Sequence, residues 1–139
     1  MDLAYTLLNA NVKESYIYTN GSSAYTVLSG NRIPGVPNQK VFSEFTWTEP
    51  RKLAEIGAET IVNGPIAVND INSSSMATGY AVMNLRGVLR QSLSSGWTIT
   101  EFVRLNNIFN RSYIGSVIVN QTSSQFYEST LGRNWILGA

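Results

Sequence analysis

Glu55 and Glu59 are the first residues to consider for chemistry, because two carboxylates on one face of an element could act as general acid and general base. They are four residues apart in a segment whose side chains alternate between polar and apolar, which is typical of a strand. On a strand this spacing separates the two carboxylates by about 13 Å. Paired carboxylates that hydrolyse glycosides lie closer together than that. The pair therefore predicts no catalytic site.

The composition excludes several further kinds of site. The 139 residues include no His and no Cys, which removes the commonest metal ligands, the thiol nucleophiles and the histidine general base. We predict no catalytic residues, no metal site and no cofactor, and we do not expect an enzyme. Ten basic residues against nine acidic ones give a net charge of +1, with no run of either sign. Binding to nucleic acid is therefore not predicted, because it needs clustered Lys and Arg.

Polar and apolar side chains alternate along most of the chain. Residues 80–91 show this strongly, with Leu85 and its apolar neighbours opposite Arg86 and the other charged side chains. No apolar stripe of helical spacing extends beyond residues 53–62, so strands are favoured over helices. We predict an all-β fold, an antiparallel up-and-down meander of about six strands. The predicted strands are residues 3–16, 41–48, 53–63, 80–91, 97–107 and 134–139.

The connections between these segments alternate in length. In an antiparallel meander every second connection lies at the same end, so the long loops gather at one end and the tight turns at the other. Outer-membrane barrels show this asymmetry. Trp47, Trp97 and Trp135 lie near strand ends, as the aromatic girdles of such barrels do. The long connections are residues 17–40, 64–79 and 108–133, and the short ones are residues 49–52 and 92–96.

The sequence also limits how the chain could lie in a membrane. Residues 1–6 carry no basic or apolar export signal, and no apolar run is long enough to span a bilayer as a helix. Bacterial barrels need about eight or more strands to close, and open sheet edges are not tolerated in hydrocarbon. A membrane location therefore predicts part of a larger transmembrane β-barrel, or one protomer of a shared barrel, with an export signal that lies elsewhere.

Several stretches resemble one known family, in family order. Residues 104–113 hold an Asn-apolar-aromatic-Asn cluster that begins at Asn107, with Tyr113 six residues later. This cluster resembles the penultimate-strand signature of TonB-dependent outer-membrane receptors of the siderophore type. Similar stretches are residues 5–10, 30–37, 80–86, 115–120 and 131–135.

The resemblance implies a barrel of about 22 strands, closed by an N-terminal plug and located in the bacterial outer membrane. Residues 1–139 would be its C-terminal portion, without the plug domain and the signal peptide. The implied partners are outer-membrane lipid, a ferric siderophore or similar scarce metal chelate, and TonB through the missing N-terminal part. We do not expect this chain to transport alone. The lack of His disfavours haem as the ligand.

The resemblance also gives roles to two groups of side chains. The charged residues of the polar strand faces would point into the barrel lumen, as scaffolding or as ligand contacts: Glu55, Glu59, Arg86, Arg90 and Arg104. Aromatic and guanidinium groups of the long loops would stack on or pair with an anionic chelate. These candidate ligand residues are Tyr25, Arg32, Arg111, Tyr113, Phe126 and Tyr127. The alternative for Arg111 and Tyr113 is that they only order their own loop.

A second hypothesis comes from another class of protein. A soluble β-sandwich or small-barrel binding module would show the same alternation of polar and apolar residues. Its apolar faces would pack into its own hydrophobic core, and its long loops would bind a partner. It predicts a monomer that is soluble without detergent. The receptor hypothesis predicts aggregation under those conditions, because apolar faces and unpaired strand edges would be exposed.

Overall fold

A computed structural model describes residues 1–72 and 76–139 of the chain. The described residues form strands, turns and loops, and none of them is in a helix. Accordingly, this part of the chain contains no helix that could cross a membrane. The strands are β1 (Asp2–Leu7), β2 (Tyr16–Asn20), β3 (Ser23–Val27), β4 (Gln39–Thr48), β5 (Ala54–Asn63), β6 (Ile66–Ala67), β7 (Met76–Ala77), β8 (Tyr80–Ser92), β9 (Thr98–Asn106), β10 (Ile114–Val117), β11 (Tyr127–Ser129) and β12 (Asn134–Gly138).

Six of the strands form one sheet in the order β1-β4-β5-β8-β9-β12, with every neighbouring pair antiparallel. The prediction of an all-β, antiparallel fold is confirmed. The described residues form twelve strands rather than about six, because each long connection contains a small hairpin of its own. These hairpins are β2–β3, β6–β7 and β10–β11. Their strands are two to five residues long, too short to give a clear alternation in the sequence.

The four central strands lie close to their predicted positions, whereas the first prediction was too long. β1 ends at Leu7, and the chain then leaves the sheet after a last backbone hydrogen bond from Leu8 N to Asn38 O of 2.9 Å. Leu7 and Leu8 are successive and so cannot both lie on one face of a strand, which leaves the alternation of polar and apolar residues ambiguous at this point. All three long connections lie at one end of the sheet, as the meander requires. Residues 73–75 of the second connection are outside the described part.

The register divides the main sheet into two faces of opposite character. On one face, Trp47 pairs with Ile56, and Trp135 pairs with Leu105. On the other face, Glu44 pairs with Glu59. The apolar face is largely bare, since Trp135 is 65% exposed and Ile56 is 58% exposed. Other apolar side chains of this face that are exposed are Leu3, Tyr5, Leu7, Phe45, Trp47, Leu89, Ile99, Val103 and Leu137.

The buried core lies at the end with the long loops rather than between two sheets. The segment around β6 carries much of it, with Ala67 and Val68 almost completely inaccessible. The backbones of both other long connections pair with this segment: Gly35 N donates to Ala67 O and Asn120 N donates to Val68 O, at 2.9 and 3.0 Å. The buried apolar residues are Val27, Ile66, Ala67, Val68, Ala77 and Val82.

Both edges of the main sheet are open among the described residues. β1 pairs only with β4 and β12 pairs only with β9, so the described strands do not close on themselves. The four inner strands β4, β5, β8 and β9 are 10, 10, 13 and 9 residues long. A strand needs about 9–11 residues to cross a bilayer, whereas strands of soluble proteins are most often about 5–6 residues long.

Candidate functional site

The polar face of the main sheet carries a network of ion pairs centred on Arg86. The guanidinium donates to Glu44 Oε1 from Nη2 and Nε, at 2.6 and 3.0 Å, and to the Glu55 carboxylate from Nη1. It also donates to Thr46 Oγ1 at 3.1 Å. The register explains this, because the row of residues that contains Arg86 lies between the rows of Glu44 and Glu55. One guanidinium with several donors can therefore bridge two carboxylates.

Gly57 provides the space for this arrangement. It is the direct cross-strand partner of Arg86, and a Cβ placed on it would come within 2.7 Å of Arg86 Nε. The absence of a side chain at Gly57 lets the long Arg86 side chain lie across the sheet towards β4.

Two further pairs extend the network along the same face. Arg104 Nη2 contacts Glu59 Oε1 at 2.8 Å, and Arg90 Nη2 lies 3.9 Å from Glu55 Oε2. Arg86 and Arg104 are direct cross-strand partners, so the two like charges are separated by giving each its own carboxylate. The face thus carries Glu44, Glu55 and Glu59 against Arg86, Arg90 and Arg104, and their charges balance.

All five predicted lumen-facing residues therefore lie on one face. The structure adds Glu44 to them, since it is the direct cross-strand partner of Glu59. Glu55 and Glu59 contact arginines instead of facing a common substrate position. No group of three acidic side chains in the described residues is arranged to hold a metal ion. The chemistry that this face offers is hydrogen bonding from a charge-neutral polar wall.

The three long connections, residues 8–38, 64–79 and 107–133, together form a loop cluster that is held together around Asp70. Asn120 Nδ2 donates to the Asp70 carboxylate at 2.6 Å, and the backbone N–H of Asp70 donates to Asn120 Oδ1 at 3.0 Å. From the first connection, Asn31 Nδ2 donates to Asp70 O at 2.8 Å. Nearby, the Arg32 backbone N–H donates to Asn72 Oδ1 at 2.8 Å and Asn72 Nδ2 donates back to Arg32 O at 2.9 Å. The second connection is therefore the hub of the loop cluster.

A cleft of about 350 Å³ opens in this loop cluster. One aromatic wall comes from the β2–β3 hairpin, where the rings of Tyr18 and Tyr25 stack at 5.4 Å between centroids. Another comes from Phe126 and Tyr127, whose rings meet edge to face at 6.4 Å. Polar side chains complete the lining. The lining residues are Tyr18, Tyr25, Asn69, Ile71, Asn120, Gln121, Thr122, Ser124, Phe126 and Tyr127.

Tyr18 is a residue of this cleft that the sequence analysis did not single out. Its partial burial and the nearby Asp70 carboxylate raise the pKa of its phenol, with smaller contributions from Tyr25 and Tyr16. The phenol therefore keeps its proton at neutral pH and can donate a hydrogen bond. The available signal was the alternation of Tyr16 and Tyr18 where the first predicted strand passes into the loop, but it does not by itself indicate a hairpin.

No model of a known protein family matches this sequence.

Three of the six candidate ligand residues, Tyr25, Phe126 and Tyr127, lie together in the cleft. The other three lie elsewhere. Arg32 Nη2 donates to Pro65 O at 2.9 Å, which holds two long connections together. Arg111 is exposed and lies beside β8, in a depression that it shares with Ala81 and Met83.

Arg111 and Tyr113 belong to an ordered turn at the end of β9. Asn107 has a φ of 50°, and its side chain spans the turn by accepting from Arg111 N and donating to Arg111 O, at 3.0 and 2.8 Å. Asn107 N donates to Asn84 Oδ1 at 2.9 Å, which ties the turn to β8. The Tyr113 ring then packs on Tyr80, with 4.2 Å between ring centroids. The Tyr113 contact agrees with the alternative in which this side chain orders its own loop, whereas the turn uses only the backbone of Arg111.

Proposed function

We propose that this chain is the C-terminal barrel portion of a TonB-dependent outer-membrane receptor that takes up a ferric siderophore or a similar scarce chelate. The observation that carries the proposal is the division of one antiparallel sheet into a bare apolar face and an ion-paired polar face. Lipid would cover the apolar face, and the polar face would line the lumen. In hydrocarbon only a closed barrel satisfies the backbone, so the two open edges call for further strands.

The lengths and connections of the strands support the same proposal. The four inner strands are long enough to cross a bilayer, and the long connections all lie at one end. In the proposed orientation that end is extracellular. Glu101 is a charge on the apolar face, and it accepts a hydrogen bond of 3.0 Å from Gln91 near the short-turn end. A carboxylate costs less than Arg or Lys on a lipid face and least near the interface.

The soluble-module hypothesis requires the apolar face to be covered by protein. Five of the six buried apolar residues of the described chain lie in the long connections, and the sixth, Val82 of β8, lies on the polar face of the sheet. The apolar sheet face keeps large exposed side chains. The described residues therefore form no hydrophobic core on that face. Large exposed apolar patches mark interaction or membrane surfaces.

The test is whether lipid contacts the apolar face. The full chain would be folded into vesicles whose lipids carry bromine on the acyl chains, which quenches nearby tryptophan fluorescence. The three tryptophans, Trp47, Trp97 and Trp135, should be quenched strongly. The control replaces them with Phe and places a single tryptophan on the polar face with Val88→Trp, which should be quenched weakly. Equal quenching for both proteins, or a soluble monodisperse monomer without detergent, would rule out the proposal.

The identity of the receptor is tested separately by sequencing the DNA on both sides of this reading frame. In-frame codons for a signal peptide, a plug and further strands upstream would support the proposal. Stop codons on both sides would contradict a longer receptor and would favour the soluble binding module again.

A further inference from the structure

The cleft between the long loops offers two kinds of contact. The stacked rings of Tyr18 and Tyr25, together with Phe126 and Tyr127, offer apolar faces for a ligand. The lining also contains the amide of Gln121 and the hydroxyls of Thr122 and Ser124, which can donate and accept hydrogen bonds without carrying charge. A ligand for this lining needs apolar surface and exposed oxygen or nitrogen atoms.

The charge of the cleft is the second observation. None of its described lining residues is Lys or Arg. The nearest carboxylate that the contacts show is Asp70, which is 2.6 Å from Asn120 Nδ2 and acts on the Tyr18 phenol. The two arginines that the sequence suggested for anion binding are elsewhere, since Arg32 donates to Pro65 O. An anionic ligand would find no cationic side chain in the described lining, and the Asp70 carboxylate lies directly behind the lining residue Asn120.

We infer that the cleft binds an uncharged, oxygen-rich ligand rather than an anionic chelate. This inference rests on the proposed function and restricts the class of ligand that the receptor would bind. In a ferric chelate, hydroxamate ligands give the required neutrality, because each of the three carries one negative charge and together they balance ferric iron. Three catecholates carry two charges each and leave the complex with three negative charges. A neutral oligosaccharide offers the same uncharged chemistry as the hydroxamate complex.

Three probes separate these possibilities. The first is the ferric complex of a neutral cyclic trihydroxamate, the second is a neutral malto-oligosaccharide, and the third is a ferric tris-catecholate. Each would be titrated by calorimetry into the full chain in micelles of an amine-oxide detergent. Alkyl maltosides and glucosides are avoided, since their sugar headgroups would compete. We expect one neutral probe to bind, and the tris-catecholate to bind at least about tenfold more weakly, because it meets unfavourable charge.

Matched variants locate the binding. Tyr127→Ala removes an aromatic face from the cleft, and Tyr16→Ala removes an aromatic ring from the same loop cluster outside the lining. The two side chains are equally exposed, at 45% and 44%, so neither substitution leaves a cavity in the core. Tyr127→Ala should weaken binding of the neutral probe about tenfold, which is the loss of affinity expected for one aromatic contact. Tyr16→Ala should leave the affinity unchanged.

A gain-of-binding variant tests the role of charge directly. Thr122 is exposed in the cleft lining, so Thr122→Lys adds a cation without burying it. This variant should bind the tris-catecholate more tightly than the wild-type chain does, because the added ammonium offsets the negative charge of that complex.

The inference is overturned if the tris-catecholate binds the wild-type chain as tightly as the neutral probes, if no probe binds, or if Tyr16→Ala and Tyr127→Ala weaken binding equally. Bromolipid quenching of the same purified chain, folded into vesicles, distinguishes its failure from that of the proposed function. Strong quenching without selective binding rejects the cleft assignment alone, whereas weak quenching rejects the membrane receptor itself.

Discussion

Asn120 and Asp70 are joined by two hydrogen bonds, one from Asn120 Nδ2 to the Asp70 carboxylate at 2.6 Å and one from the Asp70 backbone N–H to Asn120 Oδ1 at 3.0 Å. The two residues come from different long connections, fifty positions apart in the sequence. Asn120 also lines the cleft. The pair therefore fixes the position of one loop of the cleft relative to another.

Replacing Asn120 should loosen the loop cluster. Asn120→Gly removes both hydrogen bonds, but glycine tolerates the φ of 55°. We therefore expect the free energy of opening the loop cluster to fall by about 1–3 kcal/mol. Asn120→Ala should lose roughly 1 kcal/mol more, because its Cβ disfavours that backbone conformation. Amide hydrogen exchange over residues 66–72 measures both effects. Unchanged exchange in both variants would show that the pair does not hold the loops.

Arg86 should be essential to the polar face. Arg86→Ala leaves Glu44 and Glu55 without their shared cation. Because solvent screens these partly exposed groups, we expect the free energy of unfolding to fall by only about 1 kcal/mol. Arg86→Lys should recover only part of this, because a point charge does not reproduce the guanidinium fork. Denaturant unfolding in micelles gives the values. A fully stable Arg86→Lys would contradict the bridging role.

Gly35 and Gly30 separate steric contact from backbone conformation. Both have positive φ, 79° and 90°, but a Cβ at Gly35 would come within 2.9 Å of Val119 Cγ2, whereas one at Gly30 would meet nothing within 4 Å. Gly30→Ala should lower the free energy of unfolding by roughly 1–2 kcal/mol, because alanine disfavours this backbone conformation. Gly35→Ala should cost more, because the first and third connections are also forced apart. Equal losses in thermal unfolding would mean that Val119 gives way freely.

The two faces of β8 should respond oppositely to a charge. Leu85→Arg places a guanidinium on the apolar face, among Ala58 and Leu105. If lipid covers that face, the substitution should cost about 2–4 kcal/mol of folding stability in bilayers. Val88→Arg on the opposite face lies beside Glu55 and should cost little. Equal costs, measured by unfolding in the same vesicles, would contradict a lipid-facing surface.

The raised pKa of Tyr18 predicts a pH dependence. The folded chain keeps the phenolic proton at pH values where the unfolded chain loses it, so this contribution to stability is complete below the ordinary phenol pKa of about 10. It is lost as the pH rises through the raised folded value. Above pH about 10, wild type should therefore lose stability more steeply than Tyr18→Phe.

Asp70→Asn provides the complementary measurement. It removes the second largest cause of the shift, so the pKa of Tyr18 should fall towards its ordinary value but stay above it, because burial of the phenol remains. Phenolate absorbance, taken as the difference between each chain and its Tyr18→Phe version, follows this group alone. An unchanged titration in Asp70→Asn would show that the carboxylate does not act on the phenol.

Alternation of polar and apolar residues was enough to predict the four central strands of the main sheet and the two faces that they carry. Alternation with a period of two is a local property, so it could be followed along β4, β5, β8 and β9 without knowing what each strand pairs with. It placed Glu55, Glu59 and Arg86 on one face, and the lengths of the connections placed the long loops at one end. It missed the three hairpins, whose strands are too short to show a period.

Which side chains contact one another depends on strand register and on the three-dimensional paths of the loops. Arg86 bridges Glu44 and Glu55 because the register sets its row between theirs and Gly57 leaves space, and neither fact is local to one strand. Tyr25 shares a cleft with Phe126, a hundred positions away, because hydrogen bonds centred on Asp70 gather the long connections. No sequence period encodes such contacts, since they depend on the path of each loop after it leaves the sheet.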